Sequence, residues 1–149
     1  MAKEVLNTPT LAKFEYPALL VKEFRHWCVT LRRHQATLGA LVLISKSDAT
    51  AFSSLEPDAF KELHAATGAI ERTLQHVFAY DKINYLMLMM VDPNVHFHVL
   101  PRYDRPLEFG GMTFEDAGWP KAPDLVGGPT IDDEMAKALI DHLSSAWRD

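Results

Sequence analysis

The stretch Asn94-Val95-His96-Phe97-His98-Val99-Leu100-Pro101-Arg102 alternates apolar and polar side chains. Val95, Phe97 and Val99 fall on one set of positions, and Asn94, His96 and His98 on the other. Successive side chains of a strand point to opposite faces. One face of this strand therefore enters a core, and the other presents two imidazoles and an amide in a row. Packing supplies no reason for such a row. A reaction at phosphorus supplies one, and so does a metal.

Upstream, Ile83 to Val91 is apolar and predicts a second buried strand, with Asp92-Pro93 as the turn of a hairpin. Three earlier segments also read as strands: Ala18 to Phe24, Trp27 to Leu31 and the apolar run Leu38 to Ser45. Between the two strand groups lies the clearest helix. Ser54 precedes Glu56-Pro57-Asp58, which places proline and acids in a first turn. Phe60, Leu63, Thr67, Ile70, Leu74 and Val77-Phe78 then recur at helical spacing, and the helix should end near Ala79. Residues 103–129 carry Gly110-Gly111, Gly118, Pro120, Pro123 and Gly127-Gly128-Pro129, a composition that predicts a long loop. A final helix is expected over about 131–147, capped by Thr130, with Met135, Leu139, Leu143 and Trp147 as its apolar stripe. Residues 1–15 carry few signals. These elements predict an α+β fold: an antiparallel sheet of about five strands, one long helix between strands, and a C-terminal helix. The chain is expected to form a single domain over 1–149 with its core in about 17–105.

Hydrophobic residues make up 48% of the 149, enough for a real core. A net charge of −5 argues against broad nucleic-acid binding, which needs a basic surface. A locally basic nucleotide pocket stays compatible with that charge. The one cysteine, Cys28, sits between Trp27 and Val29 and reads as a buried thiol. No signal peptide and no bilayer-length apolar run are visible, so a cytoplasmic protein that does not associate with membrane is expected.

Asn94-Val95-His96-Phe97-His98-Val99-Leu100 resembles the motif of the histidine triad (HIT) family, three histidines alternating with apolar residues, with Asn94 in place of the first histidine. Pro101-Arg102 continues the resemblance, as do Asn84-Tyr85 upstream and the Gly39 to Lys46 segment. Within the family it resembles the branch that hydrolyses diadenosine polyphosphates. The resemblance implies a nucleotide hydrolase or nucleotidyl transferase acting at an α-phosphorus of a dinucleoside polyphosphate or nucleoside phosphoramidate. It assigns His96 as the nucleophile that carries the nucleotidyl group, His98 as the group that stabilises phosphoryl oxygens and leaving group, and Asn94 as an orienting neighbour. It also implies a homodimer. Magnesium would enter only with the substrate's phosphates, and no other cofactor is called for.

Three further residues are candidates for substrate binding. Arg102 lies on the histidine face if counted by two along the strand, and reads either as a ligand for a distal phosphate or as a strand-end surface arginine. Arg32 follows the second strand, where family members often place a ribose-binding asparagine. Met90 stands where many members have an amide that contacts the phosphate, and reads either as part of a base pocket or as core. Two rival functions stand beside the enzyme. One is a nucleotide-binding protein with little turnover, given Asn94, Ala40 and Met90 at positions that usually carry other residues. The other is a metal site, which lacks a third ligand at short spacing.

Overall fold

The computed structural model describes residues 7–149. Five strands, β1 (Leu20–Glu23), β2 (Trp27–Leu31), β3 (Leu41–Ser45), β4 (Lys82–Leu86) and β5 (His96–Arg102), form one sheet. Their order is β1-β2-β3-β5-β4, with every neighbouring pair antiparallel. The fold is the expected α+β arrangement.

The long helix α2 (Pro57–Phe78) begins with proline in its first turn and stops at Ala79, whose φ of 50° leaves the helical region. The C-terminal helix α3 (Asp133–Ser145) is capped by Asp132, whose carboxylate accepts from the Met135 amide at 2.9 Å. The expected cap, Thr130, instead bridges to His34. One carboxylate nearer the helix was available, and it won the position. Both helices cover the same side of the sheet. Trp27, Val29, Leu31, Leu41, Leu43, Val95 and Val99 pack there with Ile70 and Leu74 of α2 and with Leu139 and Leu143 of α3. Arg33 ties the start of α3 to the N-terminal segment through ion pairs with Asp133 and Glu15.

Two further expectations fail. Residues 103–129 are not uniformly irregular: β6 (Leu107–Phe109) and β7 (Met112–Phe114) form a small hairpin. Its two-residue turn is Gly110-Gly111, with φ values of 58° and 81°. Paired positive φ is what a tight hairpin asks of its turn, so the glycines make structure here rather than prevent it. Second, the strand expected over Ile83 to Val91 ends at Leu86. Met87 and Met89 pack partly against the core, but Met90 is 90% and Val91 85% exposed in the hairpin loop. An apolar run therefore continued past its strand. Residues 8–14, where the sequence carries few signals, join the fold. Helix α1 (Pro9–Lys13) starts at Thr8, whose hydroxyl accepts from the Leu11 amide, and buries Thr10 and Leu11.

Candidate active site

Cross-strand register builds the site. His98 on β5 lies opposite Val42 on β3, Val42 opposite Thr30 on β2, and Thr30 opposite Leu20 on β1. One row along, His96 lies opposite Ile44, and Ile44 opposite Cys28. Directly paired residues share a face. This face is the side of the sheet away from α2 and α3, and the two imidazoles project from it together. Their ring centroids are 5.2 Å apart, with planes at 80°.

Each ring is held in a defined state. His96 Nδ1 lies 2.7 Å from the Asn94 carbonyl, which only accepts. In the neutral ring the proton therefore sits on Nδ1, and Nε2 keeps its lone pair. Nε2 is buried and has no partner. His98 Nδ1 accepts from Arg32 Nε at 3.3 Å, which places the proton of the neutral ring on Nε2. Burial, followed by the charge of Arg32 and the proximity of His96, pushes the His98 pKa down to about 4. His98 is therefore neutral near pH 7, and its Nε2–H is a donor. Arg32 is half-buried and also donates to the His34 carbonyl at 2.8 Å. The pair thus offers one nucleophilic nitrogen, one N–H donor and one adjacent cation.

The other expected site residues fall elsewhere. Asn94 precedes β5, and both ends of its side chain are tied: Oδ1 accepts from the Thr10 amide at 3.4 Å, and Nδ2 donates to the Asp48 carbonyl at 3.1 Å. Its own amide donates to Thr10 Oγ1 at 2.9 Å. Asn94 therefore clasps α1 and orients His96 through its backbone carbonyl, while one N–H of its side-chain amide stays unpaired. Arg102 is 3% exposed and donates to Asp116 at 2.6 and 3.0 Å, to Asn84 at 2.7 Å and to the Lys121 carbonyl at 2.8 Å. Rather than lying at the surface, it pins the 116–121 segment to the sheet end. Met90 is exposed in the β4–β5 loop and is not packed in the core.

Sequence reading missed what covers the histidines. Phe14, directly after α1, lies 5.5 Å from the His96 ring and 5.5 Å from the His98 ring, centroid to centroid. Leu11 packs with Cys28, Val42 and Ile44, and Phe14, Tyr16 and Leu20 lean on that cluster. His96 is consequently 0% and His98 7% exposed. The signal was present in Thr8-Pro9, a capping residue followed by proline at the first helical position. Cys28 is buried, and desolvation pushes its pKa up to about 12, so it stays a thiol. At the end of the sheet by the β1–β2 turn, a cavity of about 670 Å3 opens between Leu11, Tyr16, Glu23, Lys46 and the residues around the start of α2, Leu55 and Ala59 among its lining, and neither histidine lines it.

With this geometry in view, comparison with known proteins settles the family. The sequence profile of the HIT domain matches residues 13–105. That match spans more than half of the chain, which therefore belongs to the HIT domain family. Solved structures share its fold. A histidine triad protein from Bradyrhizobium japonicum is 19% identical, with a TM-score of 0.68 over 85% of this chain and 88% of that one. A histidine triad protein from Sinorhizobium meliloti is 17% identical, with a TM-score of 0.69 over 86% and 88%. A hypothetical histidine triad nucleotide-binding protein from Sulfolobus tokodaii is 15% identical, with a TM-score of 0.66 over 92% and 88%. No curated protein sequence matches the chain. Among the described residues, no helix is long and apolar enough to cross a membrane.

Proposed function

We propose that this protein is a nucleotide hydrolase or nucleotidyl transferase that works through a covalent nucleotidyl-His96. The observation that carries the reading is the buried, unpartnered Nε2 of His96, with Nδ1 held by the Asn94 carbonyl. A packed core has no use for an orphaned imidazole nitrogen, because an unpaired buried acceptor is unfavourable. A nucleophile needs that lone pair free.

In this reading, Nε2 attacks the α-phosphorus and forms a P–N bond as the bond to the leaving oxygen or nitrogen breaks. The His98 Nε2–H stabilises the phosphoryl oxygens and the departing atom, while Arg32 adds positive charge beside it. Water then attacks phosphorus, the P–N bond breaks, and the nucleoside monophosphate leaves. Dinucleoside polyphosphates, diadenosine polyphosphates among them, and nucleoside phosphoramidates fit this chemistry. Magnesium would travel with the substrate's phosphates. The outer edge of β4 carries backbone groups free to pair, and a homodimer through that edge completes the proposal.

Phosphorus reaches His96 only when Phe14 moves aside. Displacing α1 and Phe14 would join the 670 Å3 cavity to the imidazoles, since Leu11 and Tyr16 form part of its wall. The same cover favours a second reading, a nucleotide-binding protein with little turnover. The two separate on one assay: incubate the protein with a diadenosine polyphosphate and follow mononucleotide release. Turnover lost by at least about 10³-fold in His96→Ala supports the enzyme. Binding without release in the unaltered protein supports the second reading.

A further inference from the structure

Among the described residues, four buried polar side-chain atoms have no partner: Thr30 Oγ1, His34 Nε2, Thr37 Oγ1 and His96 Nε2. His34 and Thr37 belong to the connection between β2 and β3, off the sheet face. Thr30 and His96 share one face, and both residues are 0% exposed. Valine would fill the Thr30 position equally well by shape and β preference, without stranding a hydroxyl. Two orphaned atoms on one covered face point to a ligand that partners both once the N-terminal segment lifts.

Their separation selects the part of the ligand. From His96 on β5 to Thr30 on β2 is two strand spacings across and two residues along, about 12 Å between backbone positions. A nucleotide whose phosphorus sits at His96 spans such a distance with its base, not with its ribose. Val42 and Ile44 lie between and form an apolar floor on which a flat ring can rest. Arg32, one pair further along β2, is already engaged with His98 and does not compete for the base edge.

We propose that the Thr30 hydroxyl hydrogen-bonds the edge of the nucleotide's base and sets base preference. The proposal rests on the reading of His96 as the phosphate site. A hydroxyl both donates and accepts, so it distinguishes bases by which polar group each places at that edge. A site built around such a bond rejects a base that leaves it unmade more strongly than an apolar site can.

The test is equilibrium binding of AMP, GMP, CMP and UMP to the full chain and to its Thr30→Val and Thr30→Ser variants. Turnover of the matching dinucleoside polyphosphates runs in parallel. The unaltered protein is expected to prefer one base. Thr30→Val should weaken that nucleotide about ten-fold, change the others less than about two-fold, and raise KM rather than lower kcat. Thr30→Ser should keep the preference. Thermal stability of Thr30→Val should hold or rise, because an unpaired hydroxyl is removed, so a loss of preference cannot be blamed on unfolding. An unchanged base profile in Thr30→Val overturns the proposal, as does equal binding of all four nucleotides by the unaltered protein. Flattened base preference together with undiminished turnover in His96→Ala would sink the nucleophile assignment and leave Thr30 standing. Failure to bind any nucleotide sinks both.

Discussion

The two faces of the sheet are covered in different ways. On one, two long helices seal an unbroken apolar layer that includes Ile70, Leu74, Leu139 and Leu143, all at 0% exposure. On the other, a five-residue helix and one phenylalanine sit over two imidazoles and a buried thiol, on a face that also carries the orphaned Thr30 hydroxyl. The first cover is held by apolar area, the second by a few specific ties: Thr10 to Asn94, Glu15 to Arg33, and Leu11 in its small cluster. Area cannot be removed without unfolding. A handful of ties can be released locally, and functional segments are drawn from such low-stability parts. The difference separates the scaffold of this molecule from its working surface.

Substitutions can break that contrast. The largest loss of stability is expected for Leu139→Ala, at about 2–5 kcal/mol by chemical denaturation, since a closed core cannot relax around the cavity. Phe14→Ala should cost clearly less, because Phe14 is only half-buried, yet it should raise the rate at which diethyl pyrocarbonate modifies His96 and raise kcat/KM. Equal stability losses with no change in His96 reactivity would mean that the two covers are alike. Thr10→Val removes the partner of the Asn94 amide, and should lower stability by about 1 kcal/mol while speeding amide exchange in residues 9–14.

The contrast is sharpened through pH as well. His98 has its pKa pushed down to about 4 in the folded chain, against about 6.5 when unfolded. Between those values the unfolded chain binds more protons, so folding stability falls as pH drops from about 6.5 toward 4. Above about 6.5 this contribution is fully present. His98→Gln should flatten that limb of the stability–pH curve, measured by denaturation at several pH values; an unchanged limb would show that His98 is not held neutral.

How much of this was legible in the sequence varies by element. Strong periodicity made β5 and α2 readable, and Trp27 to Leu31 matched β2 to the residue. The pairing of His96 and His98 on one face followed from alternation alone. Local composition misled where tertiary context decided. Gly110-Gly111 reads as irregular until two flanking strands are seen to close on it. Met90 reads as core because hydropathy does not mark where an edge strand stops. Arg102 reads as free because its partner, Asp116, lies across a loop whose path no pattern predicts. Asn94 reads as an orienting neighbour of His96, but its tie to α1 is not legible because its Thr10 partner is 84 residues away. Arg32 reads as a ribose contact from its place after β2, and nothing in that pattern shows that its side chain reaches His98.

One measurement bears most directly on the central claim. The protein is mixed with excess dinucleoside polyphosphate, quenched within the first turnover in alkali, where a P–N bond to histidine survives, and its peptides are weighed. The account predicts one nucleoside monophosphate attached to the peptide that carries His96, absent from His96→Ala. Mononucleotide release with no adduct, or an adduct on any other residue, would contradict it.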